Sequence, residues 1–167
     1  MTFYVEDETE SKFSFDTYEI VKNVAGKVLE TENCPYETEV NVLITDNAGI
    51  REFNRQYRDI DRETDVLSFP NLIFAKASDF EIPENMEADF FNPETGELIL
   101  GDIIISSDKV REQAKSFGHS ELREFAFLVA HSMFHLCGYD HMTKEEAQIM
   151  ERKQEEVLLA LEITREK

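Results

Sequence analysis

Residues 131–141 read HSMFHLCGYDH, and this segment contains three of the four histidines in the 167-residue chain. His131 and His135 are four positions apart, so on a helix their imidazole rings project from one face. Gly138 permits a sharp turn that can carry His141 back toward the other two rings. Three neutral imidazoles and one water form the open tetrahedral site of a catalytic zinc ion. The segment therefore predicts one Zn²⁺ held by His131, His135 and His141.

The residues around this segment predict a helix that is buried on most sides. Ser120 is a suitable N-cap, and Phe127, Leu128 and Phe134 widen an apolar stripe that recurs at helical spacing. Imidazoles on such a helix are costly to bury without a partner, which favours a metal site over three unrelated polar residues. The stripe consists of Leu122, Phe125, Ala126, Val129, Met133 and Leu136.

Strands and helices elsewhere in the chain do not alternate strictly. The strongest strand signal is ELILGDIIIS at 97–106, and its apolar residues on both faces predict a central strand. Other strands are predicted at 3–5, 40–44 and 64–70, and an acidic loop at 76–97. Helices are predicted at 16–30, 49–62 and 107–117, from 120, and from about 143. This order predicts an α+β fold, with a mixed sheet packed against helices in one domain over 1–167.

Charge is the unusual feature of the composition. The chain has 17 basic and 36 acidic residues, for a formal net charge of −19. A polyanionic partner would therefore need a local basic surface. Two cysteines without a CxxC pattern, and an acidic N-terminal segment without an apolar stretch, predict a reducing cytoplasmic location. No apolar run approaches about 20 residues, so no membrane span is expected.

The densest basic patch lies in GIREFNRQYRDIDR at 49–62. Arg51, Arg55 and Arg58 share one side of the predicted helix, and Arg62 joins them if the helix extends that far. Guanidinium groups match the geometry of phosphate oxygens, so these arginines are candidate phosphate-binding residues. Arg58 is also a candidate catalytic residue, because it precedes the strand at 64–70. The alternative is a solvated helix face with ion pairs to nearby acidic residues.

Several other polar residues have two open interpretations. Asp102 is expected to be buried in the central strand, where it would orient a ligand histidine, accept a proton, or fasten a turn. Asp140 would support the ligand histidines from beside them or form a turn. Asp65 would line the same site or cap the strand at 64–70. Cys137 is predicted to be a small buried residue rather than a fourth ligand. His119 is predicted to lie in a surface loop.

The spacing of the histidines and Gly138 matches the long zinc-protease signature HExxHxxGxxH. Ser132 occupies the position of its glutamate, which is the general base of peptide hydrolysis. A serine cannot take a proton in the same way, so peptidase activity is disfavoured while metal binding is not. Ser132 instead would place a hydroxyl beside the metal.

Three motifs in order carry a resemblance to a known family. HSMFHLCGYDH resembles the H-G-x-L-H-L-x-G-Y-D-H signature of the YbeY family of metal-dependent endoribonucleases, with Ser132 in place of glycine and Phe134 in place of leucine. TDVLSFP at 64–70 and LGDIIIS at 100–106 are similar to that family's T-D-V-L-S-F-P and L-G-D-I-x-I-S. The likeness extends from about residue 38 into the last predicted helix.

The resemblance implies a zincin-like fold and a zinc-dependent endoribonuclease specific for single strands. The family acts in maturation of the 3′ end of small-subunit ribosomal RNA and in ribosome quality control in the bacterial cytoplasm. The implied partners are ribosomal RNA, the small ribosomal subunit and its proteins, and Arg58 matches the family's functionally important arginine. Two alternatives stay open: a zinc hydrolase of another class, such as a peptidase, and a non-enzymatic ribosome assembly factor stabilised by zinc.

Overall fold

A four-stranded mixed sheet forms the centre of the computed structural model, which describes residues 1–164. The strands are β1 (Thr2–Asp7), β2 (Thr38–Thr45), β3 (Val66–Pro70) and β4 (Leu98–Ser106). Their order in the sheet is β1-β2-β4-β3, so β4 is central as predicted. Strands β1, β2 and β4 are parallel, and β3 runs antiparallel to β4 along one edge.

Six α-helices accompany the sheet in the described residues. They are α1 (Thr17–Thr31), α2 (Asn47–Arg58), α3 (Glu87–Phe90), α4 (Ser107–Phe117), α5 (Glu121–Leu136) and α6 (Lys144–Ala160). Side chains cap the N-termini of the long helices, as in α5, where the Ser120 hydroxyl accepts a hydrogen bond from the amide of Arg123 at 3.1 Å. The predicted α+β class is therefore confirmed. No helix within residues 1–164 is both long and apolar enough to cross a membrane.

The two faces of the sheet are covered unequally. On one face, α5 contacts β3, β4, α1, α4 and α6. The main hydrophobic core lies here, between sheet residues such as Val42 and Ile103 and helix residues such as Phe125 and Met133. On the opposite face α2 covers a small cluster formed by Ile50, Leu67 and Ile104. Much of that second face is therefore left open beside α2.

Helix α5 is buried on most sides, as its sequence predicts. Its buried residues include charged ones, and these have partners: Glu124 accepts a hydrogen bond from Gln113 at 2.8 Å and contacts the His119 ring at 3.0 Å. The side chain of His119 is only 5% exposed. His119 lies in the loop between α4 and α5, as predicted, but its side chain is not at the surface, because the buried carboxylate of Glu124 holds the ring inside.

Two glycines allow close contacts that any side chain would prevent. A Cβ on Gly101, where φ is +153°, would lie 2.4 Å from the carbonyl oxygen of Phe69 and 2.8 Å from Leu136. A Cβ on Gly138, where φ is +95°, would lie 2.7 Å from the side chain of Phe74. Gly101 thus lets β4 approach β3 and α5, and Gly138 lets the turn after α5 pack against Phe74 in the loop that follows β3.

Helix α2 ends earlier than its sequence pattern predicts. Asp59 adopts the left-handed conformation with φ of 57°, and its amide bonds to the carbonyl of Asn54. The Asn54 side chain then donates to the carbonyl of Arg62 at 2.9 Å, which folds the following segment back. Arg62 therefore lies outside the helix and outside the arginine stripe. The predicted acidic loop also contains some structure, namely the 3-10 turn Glu84–Met86 and α3.

Candidate metal centre

The last two turns of α5 bring two imidazoles together. The Nε2 atoms of His131 and His135 are 3.1 Å apart. His141 follows the turn at Gly138, and its ring centroid lies 5.0 Å from that of His135. One ligand atom from each of the three histidines lies within 4.8 Å of the others. The structure therefore brings together the three residues that the sequence predicts as metal ligands.

A backbone carbonyl fixes the orientation of His135. Its Nδ1 lies 2.9 Å from the carbonyl oxygen of Tyr139, to which it can only donate. The proton therefore resides on Nδ1, and Nε2 presents a lone pair toward His131. A carbonyl that holds one ring nitrogen in this way is a common support for a metal-binding histidine.

Hydrogen bonds around the buried carboxylate of Glu32 hold Tyr139 itself in place. Its hydroxyl donates to the carboxylate of Glu32, which also accepts hydrogen bonds from Ser78 at 2.7 Å and Lys153 at 3.0 Å. Burial acts to raise the pKa of Glu32, but these three donors outweigh it and lower the pKa below its ordinary value. Glu32 is therefore a charged anchor that ties the turn before His141 to α1 and α6.

Gln154 supports His131 from α6, a role that the sequence pattern does not predict. Its side-chain amide lies 2.7 Å from Nδ1 of His131, and the residue is 3% exposed. A half-turn of the amide lets it either donate to Nδ1 or accept a proton from it. The signal in the sequence is an amide within the apolar face of α6, between Met150 and Val157.

The electrostatic environment of His131 and His135 disfavours their protonated forms. Burial lowers the pKa of His131 to about 4, and the neighbouring charges of His135 and His141 act in the same direction. Burial also lowers the pKa of His135, and the positive charge of Arg58 adds to that shift. Neutral imidazoles are the form that binds a metal ion.

The geometry fits a divalent metal ion. Nitrogens around a tetrahedral zinc ion are about 3.3 Å apart, as Zn–N bonds near 2.0 Å require. The 3.1 Å separation of the two Nε2 atoms is close to this value. With His135 protonated on Nδ1, its Nε2 offers a lone pair to a cation on the side that faces His131. The three histidines could therefore hold one metal ion.

An open cavity of about 620 Å³ lies in front of the histidines. Strand β3 forms one wall through Val66 and Ser68, and the turn at 138–142 forms another. Arg58 reaches the same cavity from the end of α2, where its Nη2 donates to the carbonyl of Ser68 at 3.4 Å. The cavity thus combines a candidate metal site with a guanidinium group.

The other arginines of the stripe lie outside this cavity. Arg51 forms an ion pair with Asp61 at 2.8 Å, and Arg55 pairs with Glu52. All four of these side chains are at least half exposed. The structure therefore brings Arg58 to the histidines but places Arg51 and Arg55 in surface ion pairs, as the alternative interpretation of this helix expected.

Asp102 is not part of the site, which corrects the expectation of a buried carboxylate near the histidines. Its side chain is exposed and accepts a hydrogen bond from Asn41 at 3.0 Å. Side chains alternate along β4, so Asp102 and Ile104 point toward α2 while Ile103 and Ile105 point toward α5. The histidines lie on the α5 side of the sheet.

Three further candidates lie close to the histidines without contacting their rings in the described structure. Ser132 is buried and bonds to the hydroxyl of Ser68 at 2.8 Å. Asp65 and Asp140 line the cavity, but their carboxylates accept hydrogen bonds from the amides of the residues that follow them, at 2.7 and 2.8 Å. Asp65 thus caps β3 and Asp140 shapes the turn before His141. Cys137 is fully buried in the core.

The contact between Gln154 and His131 predicts a measurable effect on metal affinity. A metal ion on Nε2 of His131 requires a proton on Nδ1, and the Gln154 carbonyl can accept it. Gln154→Leu should therefore weaken metal binding about 10- to 100-fold while the fold is retained. Gln154→Glu keeps an acceptor and should bind metal nearly as well as the native chain. Competition with a metal indicator dye measures both, and native affinity in Gln154→Leu would contradict the assigned role.

Fold and site together define a class: an α+β protein whose three converging histidines can hold a metal ion in an open cavity. The family described as Endoribonuclease YbeY matches residues 4–162. The chain therefore belongs to the YbeY family, and the membership predicted from three sequence motifs is confirmed.

Individual relatives agree with this assignment. An endoribonuclease YbeY from Agathobacter rectalis is 55% identical, and the match covers 99% of this chain and all of the relative. One from Lachnoclostridium phytofermentans is 53% identical with the same coverage. Among solved structures, the solution structure of a Thermotoga maritima protein is 25% identical with a TM-score of 0.56, and the match covers 96% of this chain and 91% of that one.

Proposed function

We propose that the chain is a metal-dependent endoribonuclease that cleaves single-stranded RNA during maturation of the 3′ end of small-subunit ribosomal RNA. The observation that carries the proposal is the position of Arg58 and the three histidines around one cavity. Membership of the YbeY family supports a hydrolytic endoribonuclease acting in ribosomal RNA processing.

The proposed metal is one zinc ion held by His131, His135 and His141. Three imidazole ligands with an open fourth position are typical of catalytic zinc. When bound, such an ion provides a water molecule of lowered pKa and stabilises negative charge on a phosphoryl oxygen. The Tyr139 carbonyl orients His135 with its Nε2 lone pair available, and a half-turn of the Gln154 amide lets its carbonyl accept the Nδ1 proton of His131 in the same way.

Arg58 is the proposed phosphate-binding and catalytic residue. Its planar guanidinium can donate two parallel hydrogen bonds to non-bridging phosphate oxygens and stabilise the charge that develops on them. Its bond to the Ser68 carbonyl aims the side chain into the cavity. Arg51 and Arg55 are proposed to attract RNA from the surface of α2, where phosphates can replace their present carboxylate partners.

Ser132 supports a nuclease over a peptidase. It occupies the place of the zinc-protease glutamate, and its hydroxyl is buried against Ser68. The position therefore offers no carboxylate to take a proton. Asp65 and Asp140 have the supporting roles already described, in capping β3 and shaping the ligand turn. Asp102 receives no catalytic role here.

The whole chain is proposed to be one hydrolase domain of zincin-like architecture. The main core includes side chains from Phe3 to Ile163. Helix α5, which packs on the sheet, carries two of the ligands, and the third follows the turn at Gly138. The proposed setting is the bacterial cytoplasm, with the small ribosomal subunit and its proteins as partners. Such partners would supply the positive charge needed to bring an RNA to a chain with a net charge of −19.

A substrate panel tests the proposal. The purified chain is incubated with unstructured RNA, with duplex RNA and with a set of unstructured peptides, each with and without a chelator. We expect cleavage of single-stranded RNA, loss of cleavage with chelator, and recovery on addition of Zn²⁺. Peptide turnover without RNA cleavage would overturn the proposal. RNA binding that is never followed by cleavage would favour the assembly-factor alternative.

A further inference from the structure

A second concave surface lies on the opposite face of the sheet from the histidines. It is a groove of about 510 Å³ beside α2, which we call the α2 groove. Aromatic rings form its walls, and two of them are largely exposed, Tyr57 at 66% and Tyr4 at 53%. The floor is formed by polar and apolar sheet residues. The aromatic residues are Tyr4, Phe53, Tyr57 and Phe69, and the floor includes Asn41, Leu43 and Asp102.

The Tyr57 ring in the wall of the α2 groove is held by two other rings and is still largely exposed to solvent. Tyr57 lies parallel to Phe53, with ring centroids 6.2 Å apart and an interplanar angle of 14°, and meets the edge of Phe69 at 5.7 Å. These contacts hold the Tyr57 ring although two thirds of the residue is exposed. A fixed, exposed aromatic ring is the usual platform on which a protein stacks an unpaired base.

The α2 groove and the metal cavity meet across the edge strand β3. Consecutive residues of this strand face opposite ways, so Ser68 lines the cavity while Phe69 lines the groove. Arg58 spans the edge between them: its Nη2 bonds to the Ser68 carbonyl, and its guanidinium lies 5.9 Å from the centre of the Phe69 ring. A phosphate bound by Arg58 would therefore have the groove on one side and the histidines on the other.

The charges in the groove decide which part of an RNA fits it. Asp102 and Glu6 line the groove, so a phosphate would be repelled there while Arg58 attracts one at the rim. The Asn41 amide donates to one carboxylate oxygen of Asp102 and holds the group in place. The carboxylate retains capacity to accept further bonds, and the exocyclic amino groups of cytosine, adenine and guanine are suitable donors.

We propose that the α2 groove binds an unpaired base next to the phosphate that is cleaved, with Tyr57 stacking on the base and Asp102 accepting a hydrogen bond from its amino group. This inference rests on the proposed ribonuclease function and extends it with a base-binding subsite. It favours a base with an exocyclic amino group, namely cytosine, adenine or guanine, over uracil at that position. The RNA strand then crosses the β3 edge between groove and cavity, with Arg58 holding the phosphate.

The test compares RNA affinities of variants of Tyr57. Labelled single-stranded nonamers of cytidine, adenosine or uridine are titrated with the metal-loaded chain, and anisotropy is read before measurable cleavage. Tyr57→Leu keeps an apolar cover but removes the ring, and it should weaken cytidine-oligomer binding about tenfold. Tyr57→Phe keeps the ring and should bind as the native chain does. Tyr18→Leu, which removes an exposed tyrosine from α1, is the matched control and should have no effect.

Asp102→Ala tests base selectivity separately. It should remove the preference for cytidine and adenosine oligomers over uridine oligomers, while metal content stays at the native level. Native affinity in Tyr57→Leu, or unchanged selectivity in Asp102→Ala, would overturn the subsite. A native chain that cleaves no RNA would instead defeat the proposed function. If Tyr57→Leu leaves RNA binding intact but weakens binding of a basic peptide, the groove is a protein-docking surface and the inference is wrong.

Discussion

Replacing His135 with alanine should remove bound metal and lower RNA cleavage by about 1,000-fold or more. Its Nε2 lies 3.1 Å from that of His131, so the substitution leaves two imidazoles that cannot enclose an ion as three do. It also removes the donor that satisfies the Tyr139 carbonyl. Metal content by elemental analysis and cleavage of a labelled single-stranded RNA measure the two effects.

The fourth histidine provides a matched control. His119 lies outside the cluster and contacts Glu124, and glutamine can preserve that hydrogen bond. His119→Gln should therefore keep full metal content and native cleavage. A His135→Ala variant that retained one equivalent of metal and native activity would rule out the three-histidine site, provided that thermal unfolding showed both variants to be folded.

Arg58→Ala should reduce cleavage about 100-fold and leave metal content unchanged. The guanidinium lines the cavity without coordinating an ion, so its loss removes stabilisation of the phosphate charge and spares the ligands. Arg58→Lys should recover only part of the activity, because an ammonium group lacks the planar fork of two donors. Single-turnover cleavage rates, compared with zinc content, separate the two effects.

Arg152→Ala is the control for loss of a positive charge. Arg152 is 66% exposed on α6 and pairs weakly with Glu156 at 3.9 Å. Its removal should leave cleavage within about twofold of native, since single exposed charges contribute little at physiological salt. Loss of metal from Arg58→Ala would show that the residue supports the site structurally, which would contradict its assignment to the phosphate.

The metal site could be predicted from sequence because its determinants are local. His131 and His135 are one helical turn apart, and Gly138 directly precedes the segment that returns His141. The buried helix and the central strand were also predictable, since long apolar segments with clear caps have few alternative structures. The features that the sequence predicts correctly, namely the metal site, the buried helix and the central strand, therefore depend mostly on residues close in sequence.

The errors concern residues whose surroundings depend on distant parts of the chain. Asp102 lies in an apolar strand, but only one face of that strand meets α5, and the sequence pattern does not show that Asp102 points the other way. His119 is held inside by Glu124, a buried carboxylate within an otherwise apolar helix. Gln154 contacts His131 because α6 packs on α5, and this packing cannot be deduced from the sequence pattern of either helix.

The hydrogen bond between Tyr139 and Glu32 makes local opening of the turn that carries His141 depend on the stability of the surrounding fold. Glu32 lies at the C-terminal end of α1, Lys153 lies on α6, and Ser78 belongs to the long connection between β3 and β4. The turn that carries His141 cannot swing away until these partly buried contacts break together. The amide protons of Gly138 and Tyr139, which bond to carbonyls of α5, should thus exchange with solvent through cooperative opening rather than local fraying.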